Sequence, residues 1–511
     1  MTTTTHDRST NDRPAAPFAV GIDLGTTHTA LSYLDLSGEG RAPEAFAVPQ
    51  LIQSGEVAAR PLLPSFLYCP HPSERTPGAF ALPWDADNAV AIGEWARSRG
   101  ALTPARLVSS AKSWLSHPTL DRRSDFLPLG APDDVQKLSP LAASARYLAH
   151  LREAWDHEVA RGEAARALDR QVLTLTVPAS FDAVARALTV EAAQLAGLGE
   201  ITLLEEPQAA LYAWVEALGD RWRQEVAVGD LILVCDVGGG TTDFSLIAVV
   251  EEDGELALSR VAVGDHILLG GDNMDLALAL ALQQDLLARG KKLDRWQLFA
   301  LTHGARIAKE RLFADPALPG LPVTVPARGS GLIGGALTAE LTRARLDRLL
   351  VEGFFPEVDA AAAPNAPRRL GLTTIGLPYA ADAAVTRHLA HFLTRHLRAA
   401  EKLAPAVRAE GRAFLHPTAV LFNGGVMKAP ELKARVMSLL CSWVSSEGGA
   451  APRELPGGEL DLAVAQGAAV FGRVRQGQGI RIRGGTARAY YVGIETAMPA
   501  VPGLPPPLKA L

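Results

Sequence analysis

The chain has 511 residues, 48% of them hydrophobic, enough to build a large core and to divide into roughly two to four domains or lobes. Its 50 Lys and Arg against 56 Asp and Glu leave a net charge of −6 with no basic stripe, which excludes the electrostatic footprint of a nucleic-acid binder. The three cysteines, Cys69, Cys235 and Cys441, are too scattered for a disulfide framework and favour a reducing cytoplasm, and the longest apolar run, Met274–Leu282, is too short to span a membrane.

Residues 1–17 are polar, lack the apolar segment of a signal peptide and read as a disordered tail. Phe18–Thr29, FAVGIDLGTTHT, is an apolar strand running into Asp23, Gly25, Thr26 and Thr27, and Ala30–Asp35 returns as its hairpin partner. A proline-rich stretch over 60–85 holds a short strand near Leu63–Tyr68. Residues 91–115 predict a helix, a break at Thr103–Pro104 and a second short helix carrying Lys112. Ser139–Asp169 has the spacing of one long amphipathic helix, with His150 and His157 expected on its surface. A strand at Gln171–Pro178 and a helix at Asp182–Gly197 with Arg186 follow. The short strand Ile201–Leu204 ends in Glu205, Glu206 and Pro207, where a new helix starts. A carboxylate there points into the crevice in which α/β sheets bind ligands, or caps the helix; the spacing leaves Glu206 open between the two.

Leu231–Ser245, LILVCDVGGGTTDFS, repeats the scheme of the first turn: an apolar strand with Cys235 in its core, then Asp236, Gly238–Gly240, Thr241 and Thr242. Glycines strip the turn of Cβ atoms, so a phosphate can approach the backbone N–H groups, and the aspartate can hold a hydrated cation. Two such turns imply an internal duplication, and two facing turns suit a nucleoside triphosphate with a divalent cation between them. Neither turn has the spacing of a P-loop or of a dinucleotide fingerprint.

Beyond it, Leu246–Val250 and Glu255–Val263 form a hairpin. Another Gly–Gly–Asp turn, Gly270–Asp272, precedes a helix to Ala288, and the helix Asp294–Phe313 bears Lys309. Short strands are expected at Leu321–Val325 and Gly331–Ala336, a helix at Ala339–Phe354 and a linker at Ala360–Arg369. The helix Ala383–Leu403 carries His388, His391 and His396, without a cysteine or carboxylate to complete a metal site. Ala419–Pro430 repeats the strand-to-Gly–Gly theme, Leu460–Val474 is a small-residue helix, and 477–511 is rich in glycine and proline with a β-like piece at Ala489–Ile494.

The ordered set GIDLGTT, VPASF, EEPQAALYAW, DVGGGTTDFS, LLGGDNMD and NGGVMKAP closely resembles the seventy-kilodalton heat-shock chaperones, the DnaK-like family, from about Phe18 to about Val474. The resemblance implies an α/β, actin-like ATPase fold: two lobes with duplicated sheet cores, ATP or ADP with Mg2+ at the base of the cleft, and slow hydrolysis to ADP and phosphate. It implies lobe I at 18–228, lobe II at 229–459 and a helix at 460–476 returning to lobe I. Matched by position, Asp23, Gly25, Thr26 and Thr27 form the first phosphate turn, and Gly238, Gly239, Gly240 and Thr241 the second. Lys112 is the catalytic lysine, and Asp23, Glu206 and Asp236 serve the magnesium shell, mostly through water. Pro178 and Arg186 match a proline switch and its relay arginine. Gly270, Gly271 and Lys309 belong to the nucleotide site, Gly424 and Gly425 to the adenosine turn, and Asp461 lies near the purine. Implied partners are nucleotide, a co-chaperone, exchange factor or partner chaperone, and unfolded peptide only where a substrate domain exists; nucleic acid and membrane are not expected.

The chain departs from the family pattern at Arg306, where the family has a carboxylate beside the adenosine, at Phe313 for a serine, and at Lys428 for a stacking arginine. Lysine lacks the planar guanidinium. The stretch GIRIRGGTARAYY stands where the family has an apolar, acidic linker, so 477–511 is expected to be linker and the start of a truncated or absent substrate-binding domain. An actin-fold sugar kinase and a nucleotide-responsive scaffold are the competing readings; the chain shows no added sugar-recognition loop, and Lys112 with the EEP motif favours water as the acceptor.

Overall fold

The structure, a computed structural model, describes residues 16–478 apart from 39–41, 253–254, 327–335, 367–376 and 398–410, together with Ile482, Tyr491–Gly493 and Leu508–Ala510. The expected tail up to residue 15, the histidine-bearing helix beyond 397, the strand start at 331–335, most of the last stretch and three positions of the Ala360–Arg369 linker lie outside these residues.

Each of two sheets is built around a hairpin. In the first, β1 (Phe18–Leu24) and β2 (His28–Asp35) are antiparallel around the Gly25 turn. Helix α1 (Glu94–Ala101) and the short α2 (Ala111–Leu115) follow. Helix α3 (Pro140–Trp155) comes next, and then β3 (Val172–Val177), α4 (Ala183–Leu195), β4 (Ile201–Glu205) and α5 (Glu206–Leu218). β3 runs parallel to β1, and β4 parallel to β3. The second sheet repeats this plan. β5 (Leu231–Val237) and β6 (Thr242–Glu252) flank the triple-glycine turn, with β7 (Glu255–Val263) antiparallel on the outer edge. Helices α6 (Gly271–Ala288) and α7 (Arg295–Ala314) and the hairpin β8 (Gly320–Pro326) and β9 (Ala336–Thr342) form the outer part of this half. After α8 (Val385–Arg395), β10 (Ala419–Asn423) returns parallel to β5, followed by α9 (Pro430–Ser446) and α10 (Ala463–Arg475). This is the α/β, actin-like ATPase architecture that the resemblance implies.

The two sheets share a core. Ile232, Val234 and Ile247 of the second sheet pack with Ala209 and Leu211 of α5 and with Val464, Ala468 and Ala469 of α10, while Ala19 joins from β1. Small residues allow this approach: a Cβ on Gly467 would collide with the Ala209 carbonyl, and one on Gly21 with the Ala465 carbonyl. Further out, Trp296 of α7 donates to the Leu102 carbonyl, bridging the outer parts of the two lobes.

Several expectations are corrected. The long helix ends at Trp155 rather than Asp169: a wide turn over 156–160 closes on Arg161, held at φ 48, and Asp156 Oδ1 accepts from Leu168 N at 2.8 Å. His150 is buried, 4% exposed, because α3 is covered on nearly every side, and its Nε2–H donates to the Pro49 carbonyl at 2.9 Å; His157 is exposed. The segment from Ala339 opens as a strand. Ala339 and Leu341 alternate inward, β9 pairs with β8, and helix begins only at Arg343, capped by the Thr342 hydroxyl. Among the described residues no helix is long and apolar enough to cross a membrane.

Candidate functional site

The two glycine turns meet. A Cβ on Gly239 would strike the Thr27 hydroxyl, and one on Gly240 would lie 2.7 Å from Thr26 Cγ2. Between and below them opens a cavity of about 500 Å3, the size of a small-ligand site. Its walls include Asp23, Gly25, Thr26 and Thr27 from the first turn and Asp236, Gly238, Gly239 and Thr241 from the second. Lys112, Glu206, Gly271, Lys309, Gly424, Gly425, Lys428 and Asp461 complete the predicted set on the same cavity. Two predicted residues are not on the wall. Gly270 packs behind the triple-glycine turn, 2.6 Å from the Gly238 carbonyl oxygen when given a Cβ, and Gly240 faces Thr26 and Ser113; both leave room for the turn rather than contact the cavity.

The second turn is held by its helix. Gly271 N donates to the Gly238 carbonyl at 3.0 Å and Asp272 N to the Gly239 carbonyl at 2.7 Å. Within the turn, Gly238 N donates to the Thr241 carbonyl at 2.9 Å. Gly424 sits at φ 85, where any Cβ would run into the Val237 carbonyl, so the 424–428 turn can lie directly on the end of β5.

Each aspartate is oriented by the neighbouring parallel strand. Thr176 of β3 donates to Asp23 Oδ1 at 3.0 Å, and Asn423 of β10, register partner of Asp236, donates to its Oδ2 at 2.7 Å. The matching arrangement in the two sheets is the duplication expressed at the level of hydrogen bonds. Lys112 Nζ reaches Glu206 Oε1 at 2.5 Å; Glu206 is the first residue of α5 and also lines the cavity, so the two alternatives left open by its spacing coexist.

Three partly buried carboxylates and one buried ammonium are thus gathered on one cavity. Burial pushes the Glu206 carboxyl up to about 8, against the pull of Lys112, and that of Asp236 up to about 7, against the Asn423 hydrogen bond. Burial likewise raises Asp23. Burial opposes the charge on Lys112, but Glu206 and Asp23 hold its pKa above the ordinary lysine value. Such crowding of like charge is relieved by a cation. Among the described residues no three acidic, His or Cys side chains are gathered closely enough to ligate one ion directly. An oxygen-only acidic set spread in this way fits Mg2+, which keeps several of its own waters. The Thr27 hydroxyl, buried without a hydrogen-bond partner among protein atoms, is a further polar group aimed at the junction of the turns.

The far end of the cavity is of a different kind. Along α7, Arg306, Lys309, Glu310 and Phe313 follow one another at helical spacing on the cavity wall. Arg306 Nε donates to Asp275 Oδ2 at 2.6 Å and its Nη2 pairs with Asp272, while Lys309 Nζ lies 2.7 Å from Asp275 Oδ1. Ser110 also donates to Asp272, at 3.1 Å across the cleft. Val426, Leu432 and Leu460 supply apolar wall opposite, and Lys428 is paired with Asp461. Sequence reasoning missed Thr176, Asn423, Asp272 and Asp275. Asp272 stood beside a noticed glycine pair, but nothing in the spacing linked it to Arg306.

The model of the family described as Hsp70 protein matches residues 86–358. A "Chaperone protein HscA homolog" of Bordetella pertussis is 32% identical over 341 residues, covering 65% of this chain and 46% of that protein. The homolog of the same description from Bordetella petrii is 32% identical over 271 residues, 51% of this chain and 36% of the relative, and one from Acinetobacter baumannii is 28% identical over 303 residues, 58% and 42%. The chain therefore spans a little under half the length of the curated relatives it matches. With the family model covering more than half of the chain, and with the duplicated sheets and facing glycine turns on the same scaffold, this protein belongs to the Hsp70 family.

Proposed function

We propose that the chain binds ATP with Mg2+ in this cavity, hydrolyses it slowly to ADP and phosphate, and works as an ATP-dependent chaperone of the DnaK type whose two lobes, 18–228 and 229–459 with 460–476 returning to the first, move with the nucleotide. One observation carries the reading: Thr26 and Thr27 abut Gly239 and Gly240, so both turns present to a single triphosphate. The β- and γ-phosphates lie between the turns, bound by backbone N–H groups and threonine hydroxyls. Asp23, Glu206 and Asp236 would hold magnesium through its waters, and the ion would supply neutralisation of phosphate charge. Lys112, held by Glu206, sits over the γ-phosphate and orients the attacking water, while Glu206 and Asp236 accept hydrogen bonds from that water. The ribose then lies by Lys309 and the base towards Phe313, Leu460 and the Lys428–Asp461 pair. A co-chaperone, an exchange factor, a partner chaperone and unfolded peptide are the partners proposed, in the cytoplasm.

The test is ATP turnover with and without Mg2+, in the presence of unfolded peptides and of sugars. Magnesium-dependent phosphate release without a phosphorylated sugar supports the proposal. A phosphorylated sugar product would make the protein a kinase, and binding without turnover a scaffold.

A further inference from the structure

Glu205 and Glu206 are adjacent, at the junction of β4 and α5, and their side chains diverge. Glu206 enters the cavity to meet Lys112. Glu205, 9% exposed, is clasped between two guanidinium groups. Arg186 of α4 donates from Nη2 to Oε1 at 2.8 Å, and also to the carbonyls of Ala179 and Phe181. Arg260 closes on the other oxygen, Oε2, with its side chain 5% exposed. β4 is an edge strand of the first sheet and β7, which carries Arg260, an edge strand of the second. The Arg260–Glu205 pair is therefore a charged bond between lobes. Burying an ion pair costs desolvation that its own attraction scarcely offsets, so stability alone is a weak reason for it.

A second crossing flanks it. Ser180, in the loop that Arg186 also holds, bonds Asp243 and, at 2.7 Å, His266 Nδ1, while His266 Nε2 meets Ser116 Oγ at 3.1 Å. The backbone leading to Glu206 is thus tied to the second lobe, one residue away from the lysine-bound carboxylate.

We propose that Glu205 and Arg260 are positioning residues for hydrolysis: the pair fixes the β4–α5 junction relative to β7, so that the position of the second lobe sets the aim of Glu206 and, through it, of Lys112. This rests on the ATPase reading above. Arg260→Met is the informative change, because Glu205 keeps Arg186 as its partner and no lone buried charge is left.

The measurement is single-turnover hydrolysis of Mg-ATP, nucleotide affinity and melting temperature for the parent, Arg260→Met and Arg260→Lys. A small misplacement of a catalytic group is expressed in the chemical step, so Arg260→Met should slow single turnover about tenfold with affinity kept within about twofold. Arg260→Lys, which keeps the charge, should recover most of the rate, and amides of residues 201–207 should exchange faster in Arg260→Met at an unchanged melting temperature. A parent that hydrolyses ATP beside an Arg260→Met variant of equal rate overturns the positioning role alone. Equal losses in the Met and Lys variants with a lowered melting temperature overturn it as well, since that is a packing defect. A parent that does not hydrolyse ATP overturns the underlying reading together with it.

Discussion

Lys112 and Glu206 form a buried ion pair, Nζ to Oε1 at 2.5 Å, with both side chains on the wall of the cavity that the two glycine turns enclose. The pair orients the ammonium group before any substrate arrives, and such preorganised charge acts on the transition state more than on the bound nucleotide. Lys112→Ala should lower single-turnover hydrolysis by about a hundredfold or more, with nucleotide affinity changed by less than about fivefold. Rapid-quench kinetics and equilibrium binding of labelled ATP separate the two effects. A variant that hydrolyses at the parental rate would remove Lys112 from the mechanism.

Asp236 stands at the end of β5 with one oxygen held by Asn423 Nδ2. Asp236→Asn keeps the size of the group and an oxygen to accept from Asn423 Nδ2, and removes its charge. We expect Mg-dependent nucleotide affinity to fall about ten- to a hundredfold, the range seen when outer-shell partners of a metal are lost, while affinity measured in a chelator changes little. Titrations with and without Mg2+ give the answer; a parent that binds ATP equally in both conditions would refute the cation assignment.

Much of this site was legible because its residues are local. Asp23 with Thr26 and Thr27, and Asp236 with Gly238 to Thr241, are each read within one strand and turn, and the repeat of that scheme pointed to two facing halves. The partners that aim those groups are not local. Thr176 lies far along the chain from Asp23, and Asn423 is 187 positions from Asp236; only sheet register joins them. Arg306 looked, from its position alone, like an unexplained replacement of a carboxylate. In the fold Asp272 and Asp275, on the facing helix α6, restore the negative charge beside it. His150 was misjudged because an amphipathic stripe identifies only one buried face, and α3 is buried on more than that. Residues 339–342 of β9 read as the start of the charged, amphipathic helix that follows, whereas pairing with β8 decides the outcome.

Phe313 lies one helical turn beyond Lys309 on the wall of the cavity, away from the glycine turns. A ring there offers the base a stacking face that accepts purines without reading their edges. Phe313→Ser should therefore weaken ATP and GTP by similar factors, about five- to fiftyfold on the energies usual for base stacking, and leave Mg-tripolyphosphate binding unchanged. Competition titrations with the three ligands test this. Loss of ATP affinity alone would show that the base is recognised by its edge, and loss of tripolyphosphate affinity would show that the substitution disturbs the turns.

Burial lowers the His150 pKa from its ordinary value to about 4, against the Pro49 hydrogen bond, so the folded protein keeps the ring neutral. The unfolded chain takes up a proton near the unperturbed value of about 6.5. Between these limits the unfolded state binds more protons, and stability falls as pH falls. The contribution is fully present above pH about 6.5 and is lost progressively towards pH about 4, amounting to on the order of 3 kcal/mol over the window. His28 and His303 are also held down to about 4 by burial and add to the same slope. His150→Gln keeps a donor for the Pro49 carbonyl without a titrating ring. Urea unfolding from pH 7.5 to 4.5 should give a pH slope shallower by about one proton in the variant than in the parent. Parallel slopes would show that His150 titrates alike in both states and that burial does not hold the ring neutral.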